Sequence, residues 1–246
     1  MEKVFYEVFE EMPRQGPGDN ESTKRAFGKI IGVKENPSVL DIGCGTGMQT
    51  LLLSRLTDGK ITAVDNHKPF IDLLKKKIAE TGAGEKIEAL IGDMGNLPFL
   101  DESFDIIWSE GSVFIIGFEN GLGLWKRLLK RNGYLVISDL VWFKRNPPED
   151  AVKFFSAEGA NVTYYEDLFK VIASAGYELK DSFRLPDESW WTYFYAPMLE
   201  IVERKRIEHR GDKKSEDVLD MLQLEAEIHK KYREFYGYSF FVMKKP

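Results

Sequence analysis

The chain has 246 residues, 43% of them hydrophobic, and a formal net charge of −6 at pH 7. This length and apolar content suffice for one large core, so we expect a single α/β domain over 1–246 that includes an insertion. The negative charge and the dispersed basic residues argue against nucleic acid as a partner, because phosphate binding calls for a basic surface.

Cysteine and histidine are scarce. Cys44 is the only cysteine, which precludes an internal disulfide and favours a reducing compartment. The three histidines are scattered without ligand spacing, so no metal is predicted. No segment has the apolar character of a signal peptide or of a membrane span of ~20 residues. We therefore expect a cytoplasmic protein with no membrane partner.

Residues 1–32 form the first predicted unit. A short helix over 2–12 precedes a loop rich in proline and glycine at 13–18, and Ser22 is predicted to cap a helix that runs to about residue 32. Such a loop could close over a site as a lid and present the Arg14 guanidinium to a carboxylate. The alternative is a rigid surface turn, because its prolines and glycines favour turns without any ligand.

Residues 39–47 read VLDIGCGTG, an apolar run that contains Asp41 and ends in three alternating glycines, Gly43, Gly45 and Gly47. The run suits a strand buried on both faces. The glycines allow a ligand to lie against bare main chain. Cys44, inside this turn, is predicted to fill space rather than to act as a nucleophile.

A helix is predicted over 48–57, directly after the glycines. Its free amides would face the same site and favour an anionic group. Gln49 and Thr50 are expected either to cap this helix or to contact the ligand. A dinucleotide fingerprint would require a third glycine at position 48, where Met48 stands, so the pattern fits that fingerprint only in part.

The next three predicted strands also end in polar residues. Strand 60–65 ends in Asp65 and is followed by Asn66 and His67, strand 87–91 is followed by Asp93 and Met94, and strand 104–108 is followed by Ser109 and Glu110. We expect these groups to lie close together, because the carboxyl ends of parallel strands meet at one edge of the sheet. Ligands of open α/β sheets bind in the crevice at that edge.

The two aspartates suit a nucleoside. Asp65 could accept hydrogen bonds from both hydroxyls of a ribose. Asp93 could accept from the amino group of adenine while the amide of Met94 donates to a ring nitrogen.

In order and spacing, these strand ends resemble the class I S-adenosylmethionine-dependent methyltransferases over the first three-fifths of the chain. The resemblance implies that Asp41 and the three glycines face the methionine part of the cofactor, that Asp65 binds the ribose and that Asp93 with Met94 binds adenine. We include five further residues in the cofactor site: Arg14, Gln49, Thr50, Asn66 and Ser109.

A narrower resemblance, to a subgroup of uncharacterised small-molecule methyltransferases, extends over nearly the whole chain. It rests on four segments: Pro13–Gly18, Trp108–Gly111, Trp190–Trp191 and Tyr236–Tyr238. It implies a small-molecule acceptor without naming one.

The remaining pattern predicts the architecture. Helices are expected at 68–81, 119–130 and 165–175, and strands at 134–139, 177–185 and 239–243. This alternation predicts a Rossmann-like, doubly wound α/β fold with a mainly parallel, seven-stranded sheet. The family resemblance adds that the last strand is antiparallel.

Residues 186–235 form a predicted helical and aromatic insertion before the last strand. Pro197 opens a helix to about Arg210, and a second helix follows Gly211. We predict that Trp190, Trp191 and Tyr195 line a substrate pocket and that the insertion caps it. Core packing is the alternative for these aromatic side chains, and the two helices could also form the face of a homodimer.

The resemblance implies S-adenosylmethionine as cofactor and S-adenosylhomocysteine as product, with transfer by in-line displacement. Glu110 is the first candidate for binding or deprotonating the acceptor. The alternative is a carboxylate that caps a helix or pairs with a buried arginine. His67 is the second catalytic candidate, and an exposed loop residue is the alternative for it.

Two other functions stay open. An NAD(P)-dependent oxidoreductase is disfavoured by Met48 and by the lack of a Tyr-x-x-x-Lys pair near the fifth strand. A non-catalytic S-adenosylmethionine-binding protein is also compatible, because binding residues do not report turnover. Ser109-Glu110-Gly111-Ser112 replaces the motif that adenine methylases of DNA carry after the fourth strand. Methylation at oxygen, nitrogen, sulfur or carbon stays open.

Overall fold

A mixed, eight-stranded sheet is the centre of the computed structural model, which describes residues 3–246. The strands lie in the order β3-β2-β1-β4-β5-β8-β7, and the short β6 pairs with β5 outside this path. Their bounds are β1 Ser38–Ile42, β2 Lys60–Asp65, β3 Ile87–Ile91, β4 Phe104–Glu110, β5 Leu129–Trp142, β6 Thr163–Tyr164, β7 Glu178–Arg184 and β8 Tyr236–Lys244. The first five strands pair in parallel, whereas β8 is antiparallel to both β5 and β7. The predicted Rossmann-like sheet is confirmed, including its antiparallel last strand, but it has eight strands instead of seven because the short β6, which was not predicted, pairs with β5.

Helices cover both faces of this sheet. Their bounds are α1 Lys3–Glu11, α2 Asn20–Phe27, α3 Met48–Leu56, α4 Lys68–Thr81, α5 Phe118–Lys126, α6 Glu149–Ala157, α7 Tyr165–Ser174, α8 Asp187–Trp190, α9 Ala196–Glu208 and α10 Lys213–Tyr232. The first two residues of the predicted 1–32 unit lie outside the part of the chain that the structure describes. No helix of residues 3–246 is both long enough and apolar enough to span a membrane.

Two hydrophobic clusters lie against the sheet because successive side chains of a strand point to opposite faces. In β1, Val39 belongs to one cluster and Leu40 to the other. In β5, Val136 and Ile137 divide in the same way. The central strands are therefore apolar on both sides, which explains why their sequences read as apolar runs instead of alternating.

The N-terminal helix boundaries differ from those predicted. Asp19, and not Ser22, is the N-cap of α2: its Oδ1 atom accepts a hydrogen bond of 2.7 Å from the backbone amide of Ser22. The helix also ends at Phe27, five residues before the predicted end, and Gly28 is its C-cap residue. Ser22 thus contributes to the cap as a donor inside the first turn.

The structure corrects one strand and adds one helix around β5. β5 begins at Leu129 because that residue pairs with Phe104 before a register shift against β4, so the predicted 134–139 is only its centre. The helix α6 follows Pro148 and has Glu149 and Asp150 in its first turn. Proline at a helix start and acidic residues in the first turn are start signals that the sequence already contained.

The insertion follows a single helical path from Asp187 to Glu208 instead of starting near Pro197. Between α8 and α9, residues Trp191–Tyr195 form a π-helical turn. A proline inside a helix has no amide hydrogen to donate, and its ring clashes with the preceding turn. The wider π-helical turn accommodates Pro197, since it ends two residues before that proline. The aromatic residues predicted to line a pocket are therefore held on a helix.

Helix α1 packs against the insertion through charged contacts. His209 at the end of α9 lies 2.7 Å from Glu7, and Lys205 lies 3.1 Å from Glu11. Arg204 also pairs with Glu11. The N-terminal helix and the insertion, which are about 200 residues apart in sequence, thus cover the same end of the sheet.

Candidate active site

A cavity of about 850 Å³ lies between the carboxyl ends of the strands and the covering helices. Gly43, Asp65, Met94 and Glu110 line it from the ends of the four parallel strands β1 to β4. Phe9 of α1 lines it from the opposite side together with residues of the insertion. The strand ends predicted to converge therefore do face one cavity.

The loop after β1 requires glycine at two positions that face this cavity. Gly43 and Gly45 have φ angles of 70° and 53°, in the left-handed region. A Cβ atom on Gly43 would lie 2.3 Å from Oγ of Ser112, and one on Gly45 would lie 2.4 Å from Oε1 of Gln15. Both neighbours are packed against the loop, so larger residues would displace it.

Side chains from three elements hold this loop. Oδ2 of Asp65 accepts a hydrogen bond of 2.9 Å from the amide of Gly45. Oε1 of Gln15 accepts one of 2.8 Å from the amide of Thr46, and the Lys77 ammonium donates to the Thr46 carbonyl at 3.0 Å. Gln15 lies beside Arg14 in the loop predicted to be a lid, and its amide also donates to the carbonyls of Phe9 and Met12 at 3.1 Å. The loop is thus fixed by β2, by α4 and by the N-terminal segment.

Five predicted site residues lie outside the cavity wall: Asp41, Gly47, Thr50, Ser109 and Trp191. Their contacts explain why. Asp41 accepts a hydrogen bond of 2.6 Å from the Thr50 hydroxyl, and Ser109 pairs with the Ser112 hydroxyl at 2.8 Å. A Cβ atom on Gly47 would point at Leu74, at 2.2 Å. The Trp191 ring packs against Tyr195, with 5.4 Å between ring centroids. None of the five lines the cavity, and their direct contact with a cofactor or an acceptor stays a prediction.

Asp41 is the carboxyl group among these five residues. It has no exposed surface, and burial raises the pKa of its carboxyl to about 7. Besides Thr50, the Gln49 amide donates to it at 3.4 Å. Asp41 therefore joins β1 to the start of α3, and of these two helix residues only Gln49 also lines the cavity.

Asp65 and Asp93 line the cavity as predicted. Asp65 accepts from the amide of His67 at 2.9 Å as well as from Gly45. Asp93 is exposed and accepts from the amide of Gly95 at 2.8 Å. Asn66 also lines the cavity, next to Asp65. A carboxylate has about four acceptor positions, so these backbone contacts leave capacity for a ligand.

Glu110 is the centre of a buried network. Its Oε2 atom accepts a hydrogen bond of 2.9 Å from Arg14. Its Oε1 atom accepts from the Thr23 hydroxyl at 2.7 Å and from the Trp108 indole at 2.8 Å. The side chains of the ion pair are only 8% and 4% exposed, for Arg14 and Glu110 respectively. These contacts favour the alternative that the sequence left open, a carboxylate paired with a buried arginine.

His67 lies against α1 and is not an exposed loop residue. Its Nε2 atom is 2.8 Å from Oε1 of Glu10, and its ring stacks on Tyr6 with 4.0 Å between centroids. It lines the cavity beside Asp65. The imidazole thus forms part of the contact between the strand ends and the N-terminal helix.

The far wall of the cavity consists largely of aromatic rings. Trp190 and Tyr195 line it as predicted, and Tyr236 and Tyr238 of β8 line it as well. Glu225 of α10 lies among them, and its Oε1 atom accepts a hydrogen bond of 3.1 Å from the Tyr195 hydroxyl. Glu225 was overlooked because the pattern of its helix was read as core packing. Tyr236 and Tyr238 were noted only as a family motif.

Asp139 is the second carboxyl group that sequence reasoning left unassigned. It lies within β5, lines the cavity and is only 7% exposed. Its Oδ1 atom is buried without a hydrogen-bond partner. Burial therefore raises the pKa of this carboxyl to about 7. A buried carboxyl that lines a cavity and has one oxygen without a partner is a marker of a functional site.

Comparisons with known proteins fit this geometry. A family model described as a methyltransferase domain matches residues 39–133, from β1 into β5. The uncharacterized methyltransferase YodH of Bacillus subtilis is 26% identical over 225 residues, which are 89% of this chain and 91% of that protein. A solved methyltransferase of Geobacter sulfurreducens, bound to S-adenosylhomocysteine, superposes with a TM-score of 0.85 at 20% identity and covers 100% of this chain and 99% of that one.

Residues 39–133 form a methyltransferase domain, and the comparisons together support an S-adenosylmethionine-dependent methyltransferase. Another relative, the biotin biosynthesis bifunctional protein BioHC of Teredinibacter turnerae, is 38% identical over 112 residues. Those residues are 42% of this methyltransferase and only 19% of the bifunctional protein. The shared part is thus a fraction of that relative, and its whole activity is not carried over.

The site of this methyltransferase fits S-adenosylmethionine as cofactor. Gly43 and Gly45 line the cavity with main chain, and two carboxylates, Asp65 at the end of β2 and Asp93 after β3, line it beside them. Cys44 is buried beside them, and burial raises the pKa of its thiol, as suits the packing role predicted for it. Within residues 3–246, no three side chains of histidine, cysteine or acidic type are grouped to hold a metal ion.

The Asp139 carboxyl gives this methyltransferase a testable pH dependence. A carboxyl with a raised pKa stabilises the folded state when it is protonated, so its contribution is lost as the pH rises from about 4 to about 7. In Asp139→Asn this titration is absent. We expect the free energy of unfolding of the variant, relative to the wild type, to rise by on the order of 4 kcal/mol between pH 4 and pH 8. Urea unfolding at both pH values measures it.

The exposed Asp217→Asn variant on α10 serves as the control for this measurement, since it also removes one carboxyl group. A difference between Asp139→Asn and the wild type that does not change with pH would contradict a buried, unpaired Asp139.

The Glu110 network gives a second prediction. Thr23→Val leaves Oε1 of Glu110 with one donor fewer in a buried position, so we expect a loss of about 1–3 kcal/mol in the free energy of unfolding. Thr81→Val, at the exposed end of α4, is the matched control and should change it by less than about 0.5 kcal/mol. Equal values for the two variants in urea unfolding would show that Glu110 does not need its third donor.

Proposed function

We propose that this enzyme transfers the methyl group to a small-molecule acceptor that binds against the aromatic wall of the cavity. The observation that carries the proposal is the continuity of the cavity, which runs from Asp65 and the glycine loop to Trp190 and Tyr195. Its volume of about 850 Å³ lies in the range of small-molecule sites. Two reactants can thus lie side by side in one enclosed space.

We propose that the strand ends bind the cofactor. Asp65, with Asn66 beside it, would accept hydrogen bonds from the ribose, and Asp93 with Met94 would bind adenine. Gly43 and Gly45, with Gln49 below them, would face the methionine part. Arg14 also lines the cavity, but its guanidinium is paired with Glu110, so its proposed part is to hold the loop 13–18 in place.

The cofactor supplies a methyl group that is already activated on a sulfonium. The protein therefore needs to align the acceptor, exclude water and take up a proton where the acceptor releases one. The rings of Trp190 and Tyr195 provide an apolar wall that excludes water. No covalent bond to the enzyme is required.

We propose Asp139, in place of Glu110, as the group that takes up the proton. Asp139 lines the cavity, its Oδ1 atom has no hydrogen-bond partner, and a pKa of about 7 suits proton uptake near neutral pH. Glu110 already accepts hydrogen bonds from three donors, one of them the Arg14 cation. His67 is held by Glu10 and Tyr6, and its proposed role is to close the cavity next to the ribose site.

We further propose that residues 1–32 and 186–235 act together as the substrate cap. The contacts of Lys205 and His209 with α1 support this joint cap, because they connect the two segments over the cavity. A homodimer through α9 and α10 and a cytoplasmic location stay predictions from the sequence.

Titration calorimetry with S-adenosylhomocysteine tests the cofactor site. Loss of two hydrogen bonds to a charged carboxylate, each about 1.5–3 kcal/mol, should weaken the affinity of Asp65→Ala at least tenfold. Asp65→Asn keeps an oxygen for the Gly45 amide and should also bind more weakly than the wild type. Asp217→Ala, on the exposed side of α10, should bind as the wild type does.

Thermal unfolding of each variant shows whether the fold is retained. If folded Asp65→Ala binds S-adenosylhomocysteine with wild-type affinity, the proposed ribose contact is wrong.

A further inference from the structure

We propose that the acceptor carries an amine, which binds as an ammonium cation between Glu225 and the rings of Trp190, Tyr195 and Tyr236. This inference rests on the proposed function, because it concerns the acceptor half of the same cavity. These four residues are called the ammonium box below.

The ammonium box has one carboxylate surrounded by aromatic rings. The centroid of Trp190 lies 5.9 Å from that of Tyr195 and 6.2 Å from that of Tyr236. Tyr195 donates its hydroxyl hydrogen to Glu225 at 3.1 Å. All four side chains line the cavity. Aromatic faces together with a carboxylate are the surroundings that a cationic nitrogen prefers.

The Tyr236 hydroxyl lacks a partner. The residue is only 1% exposed, and its hydroxyl oxygen has no hydrogen-bond partner in the structure. A buried polar group without a partner costs about 1–3 kcal/mol, so such groups in folded proteins call for an explanation. An ammonium N–H that donates to this oxygen would satisfy it, whereas an apolar ligand would not.

In the described part of the chain, the carboxylate of Glu225 has no cationic side chain as a partner. Within residues 3–246, no lysine, arginine or histidine nitrogen lies within salt-bridge distance of it. Burial, together with the nearby Glu158 carboxylate, raises the pKa of this carboxyl to about 7, although the hydrogen bond from Tyr195 lowers it. His229, which stacks on Trp190 at 4.3 Å, does not supply the missing charge. Its pKa is lowered to about 3 by burial and by Arg184 and Arg233, so its ring is neutral.

The rest of the cavity wall also has carboxyl groups and no unpaired cationic side chain among the residues that the structure describes. Asp139 and Glu158 add carboxyl groups to it, and the guanidinium that reaches it from Arg14 is paired with Glu110. A cavity of this kind disfavours anionic acceptors, because no basic side chain is available to bind them. The chemistry of the wall thus selects a cation over a neutral or anionic acceptor of equal size.

The test uses the enzyme saturated with S-adenosylhomocysteine at pH 8, where Glu225 is ionised. Benzylamine, 2-phenylethylamine and hexylamine are titrated by calorimetry, each beside the alcohol and the carboxylate of matching length. We expect at least one amine to bind at least tenfold more tightly than its alcohol, and no carboxylate to bind more tightly than the alcohol.

Glu225→Gln keeps the shape of the side chain and removes its charge, so the preference for the amine over the alcohol should be lost. Glu227→Gln, exposed on the same helix, is the control and should keep the preference. Tyr236→Phe removes the unpaired hydroxyl without opening a cavity, so it should fold as well as the wild type and bind the amine more weakly.

The inference is overturned if no amine binds, if amines and alcohols bind equally, or if Glu225→Gln keeps the preference. Binding of S-adenosylhomocysteine is measured separately for every variant and should stay within about twofold of the wild type. Failure of the wild type itself to bind S-adenosylhomocysteine would instead contradict the proposed function.

Discussion

The buried Glu110 carboxylate is the contact on which the cavity depends. It receives hydrogen bonds from Arg14, Thr23 and Trp108, and these donors come from the loop 13–18, from α2 and from β4 itself. Removing one partner of a buried charge is costly because the remaining group stays desolvated. The N-terminal segment is therefore fixed to the sheet, and Gln15 of that segment can in turn hold the glycine loop.

Buried or partly buried carboxyl groups take different parts in this site according to their partners. Asp41 and Glu110 are bonded to donors of the protein and hold elements together. Asp139 and Glu225 instead line the cavity, the first with an unpaired oxygen and the second with one tyrosine donor. Burial raises the pKa of both to about 7. Asp41, whose pKa burial also raises to about 7, and Glu110 thus join elements of the protein, whereas Asp139 and Glu225 line the cavity with fewer donors bonded to them.

The sequence predicted those parts of the site that depend on strand ends. Gly43, Asp65 and Asp93 follow consecutive strands, and the topology of a parallel sheet alone brings them to one edge. It could not tell which residues of a motif line the cavity: Asp41 and Thr50, both included in the cofactor site, bond to each other and do not line it.

The contacts that were missed join segments far apart in the chain. Tyr236 meets Trp190, and Glu225 meets Tyr195, only after β8 pairs with β5 and the insertion folds back over the sheet. Helical periodicity in α10 identifies a buried face but does not show that this face meets a cavity. The pairing of Arg14 with Glu110, 96 residues away, was likewise only one of two alternatives.

A crystal structure of the enzyme with S-adenosylhomocysteine tests most directly whether one cavity serves both reactants. We predict the ribose hydroxyls on Asp65 and the thioether sulfur directed toward Asp139 and the aromatic wall, with Trp190 and Tyr195 still lining open space beside it. A sulfur atom that points away from Asp139, or a cofactor that fills the space next to Trp190, would contradict the proposed arrangement of cofactor and acceptor.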